Sequence, residues 1–328
     1  MAAQIPDTTA LLTTGTQPQL PSLVSSRRLR AQGLARTLKL WIPAGFLIAL
    51  CAMCFILPNV YTLPSPIHGN ILDAGAPPFS PGHILGADQT GNDIFSKIVY
   101  GGQIAFVVGF SVTFIGMVIG SIIGITAGYL GGWTDATLSR VLDIMIAFPA
   151  LVLVLAVAEV LGPSEKNLIF ALTAFSIPAF GRVSRGATLT VRSLPFVTAA
   201  RLSGTRHWRI IARHILPNIF PQLLTFSLLG IGIVVIIEGA VDFLGLGIQP
   251  PEASWGSMIA QGQTVLTATP EFVLIPSLFL LALVVSLNLL GDALRERWGS
   301  DEQRAPGGRG PAGRLRRRRP RGAGGRRD

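Results

Sequence analysis

Charge and cysteine are what this chain has least of. Only 13 per cent of its 328 residues are charged, about half of the roughly 25 per cent usual in a soluble domain, and mean hydropathy is +0.54. Length alone would suggest two soluble domains, but the shortage of charge excludes them, because it leaves apolar stretches that water cannot solvate. Two cysteines exclude a disulfide-stapled secreted scaffold. A hydrophobic content of 49 per cent excludes a disordered protein. Hydrolytic signatures are missing too: there is no Walker GxxxxGK[ST], GxSxG or HExxH sequence, so nucleotide, ester or peptide hydrolysis by a familiar device is not expected. Cys51 and Cys54 form a CxxC inside an apolar run without companion ligands, which reads as packing rather than as a redox or zinc site. The four histidines, His68, His83, His207 and His214, are scattered between opposite sides and make no metal site.

What remains is an all-α polytopic membrane protein. A spanning helix needs about 20 apolar residues, and six segments qualify or nearly do: about 40–60, 104–129, 138–161, 168–180, 219–239 and 272–290. The fourth is the shortest and contains Pro178. The positive-inside rule orients them. With both termini cytoplasmic, the inner regions 1–39, 130–137, 181–218 and 291–328, together with Arg140, hold 25 of the 27 Lys and Arg residues. Only Lys97 and Lys166 fall outside. The first apolar run starts too deep and is too long for a cleavable signal sequence. An outer loop (61–102), an inner loop (181–218) and a second outer segment (245–271) are long enough to carry binding surfaces. The inner loop holds seven arginines, at 182, 185, 192, 201, 206, 209 and 213.

Several groups stand out within this frame. Gly116, Gly120, Gly124 and Gly128 are four apart and form one stripe of missing side chains, where a helix of this chain or of a partner can approach closely. Among ionisable groups near the membrane, Asp143 and Asp292 fall toward the inner side, and Glu159, Glu238 and Asp242 toward the outer side. Such groups are costly at membrane depth and default to functional hypotheses, so Glu238 and Asp242 are candidates for the solute pathway or its gate. The C-terminal segment 299–328 is Gly/Pro/Arg-rich, with arginines at 316–319. It reads as a disordered tail that meets anionic inner-leaflet lipid. Without interleaved aromatics or a folded module, it is not expected to bind nucleic acid.

The most informative stretch is FVTAARLSGTRHWRIIARHILPN, residues 196–218. A short helix with Ala199, Ala200 and Ser203 on one face, broken at Gly204, makes a knob suited either to a groove on a soluble partner or to an ordinary interfacial position. This stretch resembles the EAA loop of bacterial ABC importer permeases: Ala199, Ala200, Gly204, Leu216 and Pro217 stand at its spacings, with Thr198 in place of the usual Glu and His214 in place of Ile. The ending His-Ile-Leu-Pro-Asn is similar to that of the dipeptide/oligopeptide/nickel branch. So are HILGADQTGNDIFS (83–96), FLGLGIQPPEASWG (243–256) and LNLLGDALR (287–295), which resemble segments of the DppC/OppC-like subunit.

That resemblance covers about residues 38–298 and implies a type I importer transmembrane domain in the bacterial cell membrane. It leaves 1–37 as a disordered arm with a basic flank and 299–328 as the tail. It implies a non-catalytic subunit that binds no cofactor itself, with ATP and Mg used by partners. Those partners would be a DppB/OppB-like sister permease, two DppD/DppF-like ATP-binding subunits or a fused one, and a DppA/OppA-like extracytoplasmic peptide-binding protein. The coupling loop to the ATPase would comprise Thr198, Ala199, Ala200, Arg201, Gly204, His214, Leu216 and Pro217. Dipeptide or oligopeptide is the expected solute, with a nickel chelate as the alternative. A secondary transporter or channel is the competing class, and it would favour internal repeats or a polar pore lining.

Overall fold

The structure, a computed structural model, describes residues 26–249 and 252–304. The expected N-terminal arm up to residue 25 and the tail beyond residue 304, with its arginines at 316–319, lie outside the described residues. All regular structure described is helical, apart from two isolated bridges, Ser80 with His83 and Ala87 with Asp93. The helices are α1 (Ser26–Phe55), α2 (Leu57–Val60), α3 (Ile94–Leu130), α4 (Gly132–Ile146), α5 (Ala150–Leu161), α6 (Glu165–Arg192), α7 (Pro195–Leu202), α8 (His207–Ile210), α9 (Leu216–Phe243), α10 (Trp255–Gly262) and α11 (Glu271–Arg304).

The local reasons for these boundaries are plain. Asp93 caps α3, its Oδ2 accepting from the Ser96 backbone N–H and hydroxyl, both at 2.8 Å, which satisfies donors a helix start leaves open. Gly131, at φ 72°, ends it in a conformation few other residues adopt. Ser164 caps α6, and Ser254 and Ser257 cap α10 reciprocally.

Among the described residues, five helices are long and apolar enough to span a membrane, and α4 with α5, bent by 73°, would make a sixth. The glycine stripe decides that count. A side chain at Gly116 would meet Ser176, one at Gly120 Phe180, one at Gly124 Ser184 and one at Gly128 Thr188. The offset of 60 is constant, so α3 and α6 run parallel. Parallel neighbours need a return crossing between them, and only α4 with α5 can supply it. The stripe therefore serves packing inside this chain: a missing Cβ every fourth residue on α3 lets the α6 backbone and its Ser176, Phe180, Ser184 and Thr188 approach closely. Lys39 of α1 lies 3.6 Å from Glu296 of α11, which brings the two outermost spans together at one end of the bundle.

Several boundaries move from their expected places. Ser26 begins α1, so the basic flank forms its first turns rather than a linker. Ile94 begins α3, about ten residues early, because Asp93 supplies a cap that hydropathy does not register. The third span breaks around Pro149, which cannot continue a helix. The fourth, expected to be short, is 28 residues long: α6 keeps Pro178 inside it and carries Arg182, Arg185 and Arg192 beyond the apolar part. All of 181–192 is thus helix, not loop. Tight packing on α3 outweighs the single backbone bond that Pro178 withholds. At the chain end, α11 runs six residues into the segment expected to be unstructured.

Rows of exposed apolar side chains remain on the bundle exterior, including Phe110, Phe114 and Ile122 of α3 and Leu274, Leu278 and Leu281 of α11. Such surface is unremarkable where the surrounding solvent is hydrocarbon.

Candidate functional site

The stretch singled out in sequence folds as a compact projection at the end of the bundle where α3 and α6 finish. Pro195 opens α7, where its missing N–H costs nothing. Its C-terminus closes with Gly204 N–H on Arg201 O at 3.0 Å and Thr205 N–H on Ala200 O at 3.2 Å. This Schellman arrangement requires the left-handed φ of 73° that Gly204 adopts. After α8 comes a π-helical turn, Ile211–Ile215, with Leu216 N–H bonded to Ile211 O. Pro217 offers no N–H to Arg213 O, and the backbone widens just before it. Asn218 Nδ2 donates to His214 O at 2.6 Å.

Val197, Ile210 and Ile215 are fully buried beneath this projection, in a cluster with Tyr129, Phe180 and Ile219. Outward it shows Thr198, Ala199 and Arg201, with Leu202 at 84 per cent and Trp208 at 61 per cent exposure. Ala200, grouped with Ala199 in sequence, is half-buried against the cluster. His214 sets its ring 6.2 Å from that of Phe196 on α7. Leu216 and Pro217 sit where the projection joins α9. The structure thus brings the eight residues into one folded unit.

Ties that sequence reasoning missed hold this unit to α3 and brace the helix ends beneath it. Tyr129, at the end of α3, hydrogen-bonds His207 Nδ1 at 3.0 Å, and the Arg201 guanidinium lies 4.6 Å above the Tyr129 ring. Arg192 Nη1 donates to Gly128 O at 2.5 Å. Arg185 grips Asp135 of α4 with two bonds of 2.5 and 2.7 Å, and Arg182 pairs with Asp143 at 2.8 Å. Three of the loop's arginines are therefore spent on neighbouring helices. No sequence signal marked their partners, since each pair is more than 35 residues apart.

At the other end, Glu238 and Asp242 lie one turn apart on α9 and are each 2 per cent exposed. Asp242 Oδ1 accepts from Ile248 N–H at 2.8 Å. A side chain at Gly247 would strike the Asp242 carboxylate, and one at Gly256 would strike Gly239 O and the Asp242 Cβ. Asp242 thus organises the turn leading to α10. Among the described residues, Glu238 Oε1 and Asp242 Oδ2 have no hydrogen-bond partner. Both carboxyls are shut off from every exposed face here, so contact with a solute would require this end to open. Trp255 locks α10 onto α3 by donating to Ile98 O at 2.9 Å. Glu159 and Asp292 are exposed.

Apolar spans, close-packed through small residues, with a folded, exposed projection at one end, are the build of a helical membrane-transport subunit. Residues 120–300 match the family described as "binding-protein-dependent transport system inner membrane component", and the chain belongs to that family. It is 38 per cent identical over 270 residues to the glutathione transport system permease protein GsiD of Escherichia coli, covering 82 per cent of this chain and 87 per cent of that one. GsiD of Pectobacterium atrosepticum is 39 per cent identical over 217 residues, covering 66 per cent of this chain and 72 per cent of that one. A chain of the inward-facing MetNI methionine ABC transporter superposes with a TM-score of 0.52 at 18 per cent identity, over 61 per cent of this chain and 96 per cent of that chain, which is a likeness of fold. The protein is therefore a multi-pass inner-membrane permease of an ABC importer. Such a permease implies ATP-binding subunits, a substrate-binding protein and a sister permease.

Proposed function

We propose that this subunit forms half of the translocation pathway of an importer for short peptides, glutathione among them, and that α7 couples it to ATP hydrolysis in partner subunits. The observation that carries the coupling reading is the build of the 195–217 projection: apolar beneath, pinned to α3 through Tyr129 and His207, and exposed at Thr198, Ala199, Arg201 and Leu202. A rigid knob of this kind transmits a push, since it cannot yield without disturbing the ends of α3, α6 and α9. With this end cytoplasmic, ATP binding in the partners would draw the two knobs of a permease pair together and reopen the pathway outward. That requires differential binding to two states. Glu238 and Asp242 would then take part in gating by fastening the outer turn in the closed state. The peptide reading rests on the relatives named for glutathione, itself a tripeptide, and on the sequence motifs of the dipeptide/oligopeptide branch. This chain would bind no ATP or Mg itself, and its basic tail would meet anionic lipid.

Co-purification in mild detergent with an N-terminal tag, followed by reconstituted uptake, tests this. Recovery of ATP-binding subunits and a sister permease, with ATP-dependent peptide uptake, is expected. A homo-oligomer free of ATPase that conducts solute without ATP would overturn it in favour of a channel or secondary transporter.

A further inference from the structure

The expected outer end holds a cavity of about 750 Å³ between the 61–93 segment, the start of α3 and α10, with Lys97 in its wall. Lys97 is one of the two basic residues that the charge asymmetry leaves on that side. A strong bias keeps cations inside, so a lysine retained outside and only 9 per cent exposed calls for a physical reason. The bland one is that Lys97 neutralises Asp88, which it contacts directly. That pairing uses only part of what Lys97 offers. Asp88 is already furnished: Oδ1 accepts from the Thr90 N–H (2.8 Å), the Thr90 hydroxyl (2.7 Å) and the Asn92 N–H (2.9 Å), and Oδ2 from Asn92 Nδ2 (3.2 Å). Lys97 completes this set at Oδ2 and balances the charge. The ammonium carries three donors, and Asp88 is the one protein acceptor it reaches among the described residues. Asp88 thus fixes the ammonium in place and leaves donors over for something that enters the cavity.

The rest of the wall indicates what that is. Ile94, Met258 and Phe272 supply an apolar side, Gln89 and Gln261 supply amides, and Glu252 stands exposed at the margin. A concave site of this volume suits a small ligand rather than a flat protein contact, whose interfaces are much broader. A fixed ion pair whose ammonium keeps donors to spare, amides, an apolar wall and a marginal carboxylate complement a carboxylate joined through peptide bonds to an apolar side chain and an amine. We propose that this cavity is an outer receiving site for short peptides, in which Lys97 binds the C-terminal carboxylate. The proposal rests on the peptide-importer reading for the class of ligand, and it adds a place where solute is held on this chain before the spans open.

The test is calorimetric titration of the full chain in lipid nanodiscs with the tripeptide Ala-Ala-Phe and with its C-terminal amide. The free acid should bind saturably and the amide about tenfold or more weakly, the scale of a charge-assisted contact. Lys97→Met, which keeps the stem, should abolish that preference, while Lys97→Arg should retain most of it. If Lys97→Met does not fold, the comparison of acid with amide on the wild-type chain still decides. Equal binding of acid and amide overturns the proposal. So does the absence of any binding at concentrations the assembled transporter imports, or Lys97-dependent binding of the partner binding protein alone. Uptake measured separately keeps the two readings apart: peptide import without binding here removes the site and leaves the function, and binding here without import does the reverse.

Discussion

The two ends of the bundle handle polar groups in opposite ways. At the end bearing α10, carboxylates are buried or half-buried and take bonds from nearby in sequence: Asp93 from the first turn of α3, Asp88 from residues 90–97, Asp242 from Ile248. At the end bearing α7, polar groups lie nearer the surface and reach across between helices: Arg182 to Asp143, Arg185 to Asp135, Arg192 to Gly128 O, Tyr129 to His207. Local bonds shape a turn, whereas bonds between helices make several spans move as one. On the proposed function, the first kind would build a shaped closure and the second a transmission.

The contrast can be broken at its common axis first. Leu in place of Gly120 or Gly124 should cost on the order of 3 kcal/mol or more, because the new side chain meets α6 backbone. Detergent-solubilised variants should unfold at clearly lower temperature, while Gly45→Leu, with open space around it, should not. A normal melting temperature for Gly124→Leu would refute the parallel α3–α6 packing.

A smaller effect separates the ends. Tyr129→Phe removes one neutral hydrogen bond and should cost about 1 kcal/mol of stability, yet it should lower uptake per ATP hydrolysed, since it loosens the tie between α3 and α7. An unchanged ratio would make the tie merely structural. For Arg185 and Asp135, half-shielded from solvent, a double-mutant cycle should give about 0.5–1 kcal/mol of coupling, falling with salt.

The end bearing α10 should respond to acid instead. Burial raises the Asp88 carboxyl, but hydrogen bonds from Lys97, Thr90 and Asn92 outweigh that and hold it below its ordinary value. A carboxyl more acidic folded than unfolded contributes stability above the unfolded value of about 4 and loses it as pH falls through the folded one. Amide exchange in residues 66–93, corrected for intrinsic rate, should therefore accelerate below about pH 4 in the wild type and lose that step in Asp88→Asn. A step that persists in Asp88→Asn would assign it elsewhere.

Much of this was legible before any coordinates. Apolar runs and charge asymmetry gave six crossings, because hydrocarbon leaves a chain few alternatives. The residues around Gly204 announced a turn that only glycine accommodates easily. Hydropathy was blind where helices continue as polar rods: Arg182, Arg185 and Arg192 read as loop because charge ends an apolar run without ending a helix. It was equally blind to the cap at Asp93. Spacing found the glycine stripe but not its partner, since Ser176, Ser184 and Thr188 look unremarkable until α6 is laid beside α3. Ala200 belonged with Ala199 in one dimension and parts from it in three, one facing the core and the other the solvent.

That last difference provides the most direct test. A photo-crosslinking residue at Ala199, and another at Ala200, can be placed in the chain co-expressed with its ATP-binding subunits. The account predicts that position 199 captures an ATP-binding subunit in high yield, that position 200 captures far less, and that the yield at 199 changes when a non-hydrolysable ATP analogue is added. Crosslinks from 199 to lipid alone, with the ATP-binding subunits present and unlabelled, would contradict the assignment of α7 as the coupling element.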